Sequence, residues 1–348
     1  MALTLNTKLT GIAFSSQVPD IEIANTAGGK VEVSLHNGVT SVLSTSHFTY
    51  NGVVTVHDLR SVIEQFMRNN ALALATFKLK ANDGTGAVTL ATFDVVYLEQ
   101  RYDDSCATFV NKNFLTTRHA KFSSPAATES LYLVLAANTT VNVTYQVTAS
   151  VNGATPQGFT ATETLSSNLT RELKVIQTSV LLMEGIVNNQ VSGTADITVH
   201  AYKVTAGDRS FTFYIKENEP AVAAYCRNAF NVYELCQLDA VTTEKATSDR
   251  SLAVTHRKAS FYDQRNEKSY EVESTGLSLV QARWLEQLFY SHELRMAKPR
   301  TDFEYNPAHL PLVLVTDFTC EISDEDGELN TVKFTYQYED ARMYLNMG

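Results

Sequence analysis

Acidic residues crowd the short stretch Asp324-Glu325-Asp326-Gly327-Glu328, and Asp324, Asp326 and Glu328 among them form the metal candidate. Carboxylate oxygens on a turn are what a calcium ion takes. The spacing departs from an EF-hand loop, because Ile322 stands where the first ligand would fall and no helix is expected on either side. A charged hairpin tip accounts for the same residues, since Asp-Gly between alternating segments is a turn signal. They remain a weak calcium candidate. A second group, Arg250, Arg257, Lys258, Arg265 and Lys268 beside Phe261 and Tyr262, has the basic and aromatic mixture that binds single-stranded nucleic acid. It also contains Asp263 and Glu267, and the whole chain has 38 acidic against 28 basic residues, a formal charge of −10. Such a surface repels phosphate, so the zone is read as a charged strand edge or subunit contact.

No further constellation selects a reaction. Gly28-Gly29-Lys30 lacks the earlier glycine of a phosphate loop, and Val31 occupies the place of the magnesium-binding Ser or Thr. The eight histidines show no H-x-H or i,i+4 pair, and the four cysteines form no C-x-x-C. Cys226 and Cys236 are read either as a pair or, more simply, as separate reduced thiols. G-x-S-x-G, H-E-x-x-H and G-x-G-x-x-G are all missing from the sequence, and no local signature selects two carboxylates for glycoside hydrolysis. The expectation is a protein that is not an enzyme and needs no cofactor.

The elements that would carry any site are mainly strands. Val31, Val33 and Leu35 alternate with polar residues, and strands near 75–80 and 88–98 flank Asn82-Asp83-Gly84. One helix is expected at about 57–70, capped by Asp58 and carrying Leu59, Val62, Ile63 and Phe66 on one face. Val141 to Val151 alternates without a break, as do Ala195, Ile197, Val199 and Ala201, and then Phe211, Phe213 and Ile215. Later, Ser278 and Gln281 form a capping box for a helix at about 278–292. Val280, Trp284, Leu285, Leu288 and Phe289 would be its apolar face, with Trp284 as a core plug. A strand over 268–274 and a long hairpin over about 311–339 complete the cassette.

A chain of 348 residues exceeds one ordinary core. The expected division is 1–102 (β-rich, one helix), a connector at 103–119, a middle β-sandwich at 120–220 and a β domain with helix and hairpin at 221–348. The fold class is therefore mainly β with a few helices, in two or three sandwich- or barrel-like domains. Hydrophobic residues at 44% and charged ones at 19% are ordinary globular values. No signal peptide and no apolar run long enough to span a bilayer is expected.

Several segments resemble structural proteins from the tail modules of phages and prophages of Bacteroides-like bacteria. They are Arg227-Asn228-Ala229-Phe230-Asn231-Val232, Thr242-Thr243-Glu244-Lys245, Asp317 through Tyr338, and Val54-Thr55-Val56-His57-Asp58-Leu59-Arg60 with Ile63-Glu64. The resemblance covers about half the chain and leaves the middle β region aside. It implies a virion component of the tail tip, adaptor or baseplate kind, assembled in the bacterial cytoplasm as a homo-oligomeric ring with other tail proteins. Nucleic acid is not the expected main ligand, and no membrane insertion is expected. The polar face of the last strand, Lys333, Thr335, Gln337 and Glu339, is the candidate interaction surface. The alternative function is a carbohydrate-binding or adhesive module that recognises a host surface.

Overall fold

The computed structural model describes residues 3–9, 11–191, 195–217, 220–255, 258–289, 291–297, 306–323 and 330–339. Within these the fold is mainly β with four helices. The chain forms two compact units. The first takes Met1–Lys121, Glu129–Ile215 and Ala229–Val232; the second takes Phe122–Thr128, Lys216–Asn228 and Tyr233–Gly348. The expected boundaries at 102 and 119 thus fall inside the first unit.

The first unit opens with β1 (Thr4–Leu5), β2 (Gly11–Phe14), β3 (Ile21–Ala24), β4 (Lys30–Asn37), β5 (Thr40–Phe48) and β6 (Val53–Val56). Helix α1 (Leu59–Asn69), β7 (Leu74–Asn82) and β8 (Ala87–Val96) follow. Two sheets, ordered β2-β8-β7-β4-β5 and β1-β3-β6, share a core. Val31, Val33 and Leu35 of β4, Phe77 and Leu79 of β7, and Leu59, Ile63 and Met67 of α1 meet in it. The alternation of β4 points these side chains to one face, as period 2 requires. Asp58 does not cap α1 as expected. It sits at φ 61°, and its carboxylate accepts from the Ser61 hydroxyl at 2.5 Å, not from a backbone amide. Asp20 holds the helix entry instead, accepting from the Asp58 amide at 2.9 Å and pairing with His57 at 2.7 Å.

Next come α2 (Cys106–Lys112), β9 (Ala120–Ser123), β10 (Thr128–Leu135), β11 (Thr140–Val151), β12 (Gln157–Ser166) and β13 (Glu172–Ser179). Helix α3 (Val180–Asn188), β14 (Ile197–Ala206) and β15 (Arg209–Ile215) complete the unit. The sheet β12-β11-β14-β15-β9 and the pair β10-β13 enclose a second core. Val143, Tyr145, Val147 and Ala149 enter it from β11, matching their alternation. On β14 the expected series breaks. His200 is bulged against the Thr148/Ala149 step, so Val199 points inward, Ala201 does not, and Tyr202, Val204 and Ala206 resume the inward face. The segment expected as a connector is core-forming: Cys106, Phe109, Val110 and Leu115 pack with Phe14, Val96 and Val134.

The second unit contains β16 (Val222–Arg227), β17 (Tyr233–Leu238), β18 (Val241–Thr255), β19 (Lys258–Leu277), α4 (Leu279–Phe289), β20 (Leu294–Met296), β21 (Leu312–Glu321) and β22 (Asn330–Tyr338). One seven-stranded sheet, ordered β17-β16-β20-β21-β22-β19-β18, runs through it. Its end strands, β17 and β18, are joined by Asp239 and Ala240 alone. A flat seven-stranded sheet would separate them by roughly 29 Å, whereas that link spans about 10 Å. The sheet therefore curls back on itself, and Ser274 of β19, next to the Val241–Glu273 pair, donates to the Asp239 carbonyl at 2.8 Å in the link. The curled interior holds Cys226, Leu238, Val272, Val332, Phe334 and Tyr336, with Trp284 and Leu285 of α4 packed in.

The Ser278–Gln281 box forms as expected. Ser278 Oγ accepts from the Gln281 amide at 3.3 Å, and Gln281 Oε1 accepts from the Ser278 amide at 3.1 Å. Helix α4 ends at Phe289, not 292, and Val280 is 67% exposed, so it does not belong to the packed face. Ala282 takes that place beside Trp284 and Leu285. No described helix is long and apolar enough to cross a membrane.

Candidate interaction surface

Lys333, Thr335 and Gln337 share one face of β22, opposite buried Val332, Phe334 and Tyr336, and Glu339 follows directly after the strand. That strand is internal. β22 pairs with β21 on one side and with β19 on the other, from Tyr270 to Leu277. Its backbone donors and acceptors are thus used within the sheet, so β22 offers side chains only and is no free edge. Lys333 pairs with Glu271, and the same carboxylate also receives Lys245 of β18. Hydrogen bonds from Lys245 and Lys333 hold Glu271 down at about 2. Thr335 lies between Glu271 and Asp317, Gln337 opposite Leu314, and the Glu339 amide donates to the Leu312 carbonyl at 3.1 Å. These contacts knit four strands together.

Among the described residues, β18 is an end strand of this sheet, paired on one side only. Its 15 residues pair with β19 along their whole length, from Val241 opposite Glu273 to Thr255 opposite Lys258. β19 meets β22 only from Tyr270 onward, so beyond that point the hairpin is a two-stranded ribbon. From residue 245 to 255 it reaches about 33 Å at roughly 3.3 Å per residue. Residues 241–250 are exposed without exception, which means that neither face of the strand is packed. Val241, Leu252 and Val254 are 71%, 55% and 68% exposed. Cross-strand ion pairs, Lys268–Glu244 at 2.6 Å and Lys245–Glu271, hold the ribbon's base. The basic zone maps to the same hairpin: Arg250 and Lys268 lie on its two strands, while Arg257 falls outside the described residues. The calcium candidate Asp324, Asp326 and Glu328 also falls outside them.

The remaining polar clusters are tied into the fold. In the second unit Glu293 accepts from Arg227 Nε at 2.5 Å, Tyr233 Oη at 2.6 Å and Arg295 Nε at 2.7 Å, with the Arg227 guanidinium 4.2 Å from the Tyr233 ring centre. Burial opposes the charge of Glu293, but these three donors win and hold its carboxyl at about 2. In the first unit Lys121 and Glu129 form a buried pair at 2.6 Å. Buried Arg209 donates to the carbonyls of Val110, Val134 and Ala206, and burial lowers its pKa. The Cys106 thiol is pushed up to about 12 by burial, the opposite of a nucleophile. One pocket of about 220 Å³ opens in the first unit, lined by Tyr102, Phe109 and Phe230 with Gln100, Asn113 and His119. Tyr102 and Phe109 meet edge-on at 5.2 Å, and Phe109 stacks on Phe230 at 5.1 Å.

Sequence reasoning touched β18 only at its far end, where the zone from Arg250 was read as a charged strand edge; the rest of the strand was missed because residues 241–250 are all exposed and no hydrophobic period marks them. Its available signal was composition: Val241, Thr242, Thr243, Thr247, Val254 and Thr255 are β-branched.

No protein-family model matches the chain, and no curated protein matches it. Among solved structures it is similar to the full extracellular region of plexin A4, at 10% identity and TM-score 0.23, covering 99% of this chain and 40% of that one. It is also similar to the calcium binding domain CBD12 of CALX1.1 (11% identity, TM-score 0.17, 60% of this chain and 79% of that). CBD12 of CALX1.2 stands at 9% and 0.18, covering 59% and 79%. The chain thus spans 40% of the length of the plexin region, and likeness at these TM-scores bears on neither topology nor function.

Proposed function

We propose that the chain is a non-enzymatic structural protein that assembles with copies of itself through exposed β-edges. The observation that carries this reading is β18: a 15-residue edge strand on a hairpin that outruns its own sheet. A two-stranded hairpin without a packed face is at best marginally stable in water, and an open row of backbone donors and acceptors templates another strand. Native proteins keep such edges short or covered unless pairing is their use. The ionisable clusters described above are each hydrogen-bonded into the fold, which supports a scaffold over a catalyst. The finer reading, a tail tip, adaptor or baseplate component of a phage virion, rests on the resemblance of segments such as Thr242-Thr243-Glu244-Lys245. Native mass spectrometry over a wide concentration range tests the assembly. Defined oligomers are expected; a strict monomer that also fails to bind any tail protein overturns the reading.

A second reading has one observation in its favour. The pocket beside Tyr102, Phe109 and Phe230 joins aromatic surface to amide and imidazole groups, the mixture that binds sugars. A glycan array gives the decision: no hit, or hits that persist in Tyr102→Ala, removes the pocket from consideration.

A further inference from the structure

We propose that β18 pairs antiparallel with β18 of a second copy of this chain, about a two-fold axis at Thr247. The proposal deepens the assembly reading and rests on it. Directly opposed pairs in an antiparallel ladder alternate between hydrogen-bonded and non-hydrogen-bonded types. A two-fold axis must map each pair onto one of its own kind, so the axis passes between a residue and its own copy. Only registers centred on a residue are allowed.

The charges of β18 choose among them. The strand reads Val-Thr-Thr-Glu-Lys-Ala-Thr-Ser-Asp-Arg-Ser-Leu-Ala-Val-Thr from 241 to 255. Centred on Thr247, Glu244 faces Arg250 of the second copy and Lys245 faces Asp249, each contact occurring twice by symmetry. Centring on 244, 245, 249 or 250 sets a charge against its own copy. Centring on 246 or 248 leaves all four charges opposite uncharged residues. Opposite charges directly across a ladder stabilise it, and like charges destabilise it. The pairing also extends rows already present. Lys268 reaches Glu244 at 2.6 Å, so Lys268, Glu244 and Arg250 of the second copy would alternate in sign across the new seam. The result joins two seven-stranded sheets into one continuous sheet of fourteen. Residues 241–253 pair in both copies, with Leu252, 55% exposed in the single chain, set against Thr242. A two-fold contact closes on itself, so a ring would need another edge, such as β5, and the β18 contact would then join two rings face to face.

The test uses the full chain with three variants. Opposed residues at the axis have Cα atoms about 4.5–5.5 Å apart, within disulfide range. Thr247→Cys is therefore expected to give a covalent dimer on mild oxidation that wild type, with its own four cysteines, does not give. Glu244→Arg sets arginine against arginine twice and is expected to weaken the dimer about tenfold or more. Combining Glu244→Arg with Arg250→Glu restores the opposition and is expected to restore the affinity. Circular dichroism identical to wild type shows that each variant folds. If the protein oligomerises while Thr247→Cys yields no dimer and Glu244→Arg assembles normally, the register is overturned and the assembly reading stands. If wild type is a monomer at every concentration and with other tail proteins, both fall.

Discussion

Strands β17 and β18 are consecutive in the chain, joined by Asp239 and Ala240, yet they meet opposite fates. β17 is covered on both faces. Cys236 and Leu238 enter the curled interior, while Leu235 packs outside with Tyr225, Ala127 and Leu310. β18 is covered on neither face. The difference lies in composition and length. Tyr233-Glu-Leu-Cys-Gln-Leu238 is short, and burial of its side chains adds to the ladder it makes with β16. Val241 to Thr255 has little to bury, and its stability comes from a ladder that is saturated on one side only. One part of the sheet holds the unit together, and the other part is available for pairing.

The largest expected effect lies on the packed side. Trp284→Ala should cost about 3–5 kcal/mol through the cavity it leaves among the interior side chains, read by urea denaturation with circular dichroism. Little or no loss would mean that α4 does not seal the curled sheet. Smaller is Glu293→Gln, which strips a charged acceptor from Arg227, Arg295 and Tyr233. Removing one member of a buried pair costs about 3–5 kcal/mol, and the partly open site lowers this to about 2. Trp284, the chain's one tryptophan, reports unfolding of this unit by fluorescence. The pH dependence has a definite sign. Glu293 is held at about 2 against an ordinary 4.5, so its contribution is full above the ordinary value and is lost as pH falls toward 2. The stability gap between wild type and Glu293→Gln should therefore close through that acidic window; a constant gap would show that the ionised carboxylate is not what matters.

On the open side stability should hardly move. Val254→Thr, at a 68% exposed position, is expected to change unfolding by less than about 0.5 kcal/mol. Lys333→Ala, on internal β22, should leave assembly unchanged, because that strand has no free ladder to offer. Loss of oligomers in Lys333→Ala with retention in Glu244→Arg would reverse the assignment of the surface.

The same contrast explains what the sequence made legible. β4 and β11 each bury one face, so their alternation shows directly in the residues. β14 buries one face too, but the bulge at His200 shifts its parity, and a local pattern does not reveal where a ladder slips. Helix α3 was not expected in the middle region. Val180, Met183 and Val187 are buried at helical spacing, but Leu181 and Leu182 are exposed beside them, which blurs the period. The Lys333 face was chosen because the last hairpin reads clearly; β19, only partly visible as 268–274, takes the outer side of that hairpin. β18 buries nothing and therefore left no periodic trace. Burial writes the pattern, so an edge strand without burial has none.

The most direct measurement is hydrogen exchange of the β18 amides in dilute and in concentrated protein. If β18 is the assembling edge, the amides not bonded to β19 should exchange fast when dilute and become protected within 241–253 as oligomers form. Oligomers whose β18 amides exchange as fast as those of the monomer would contradict it.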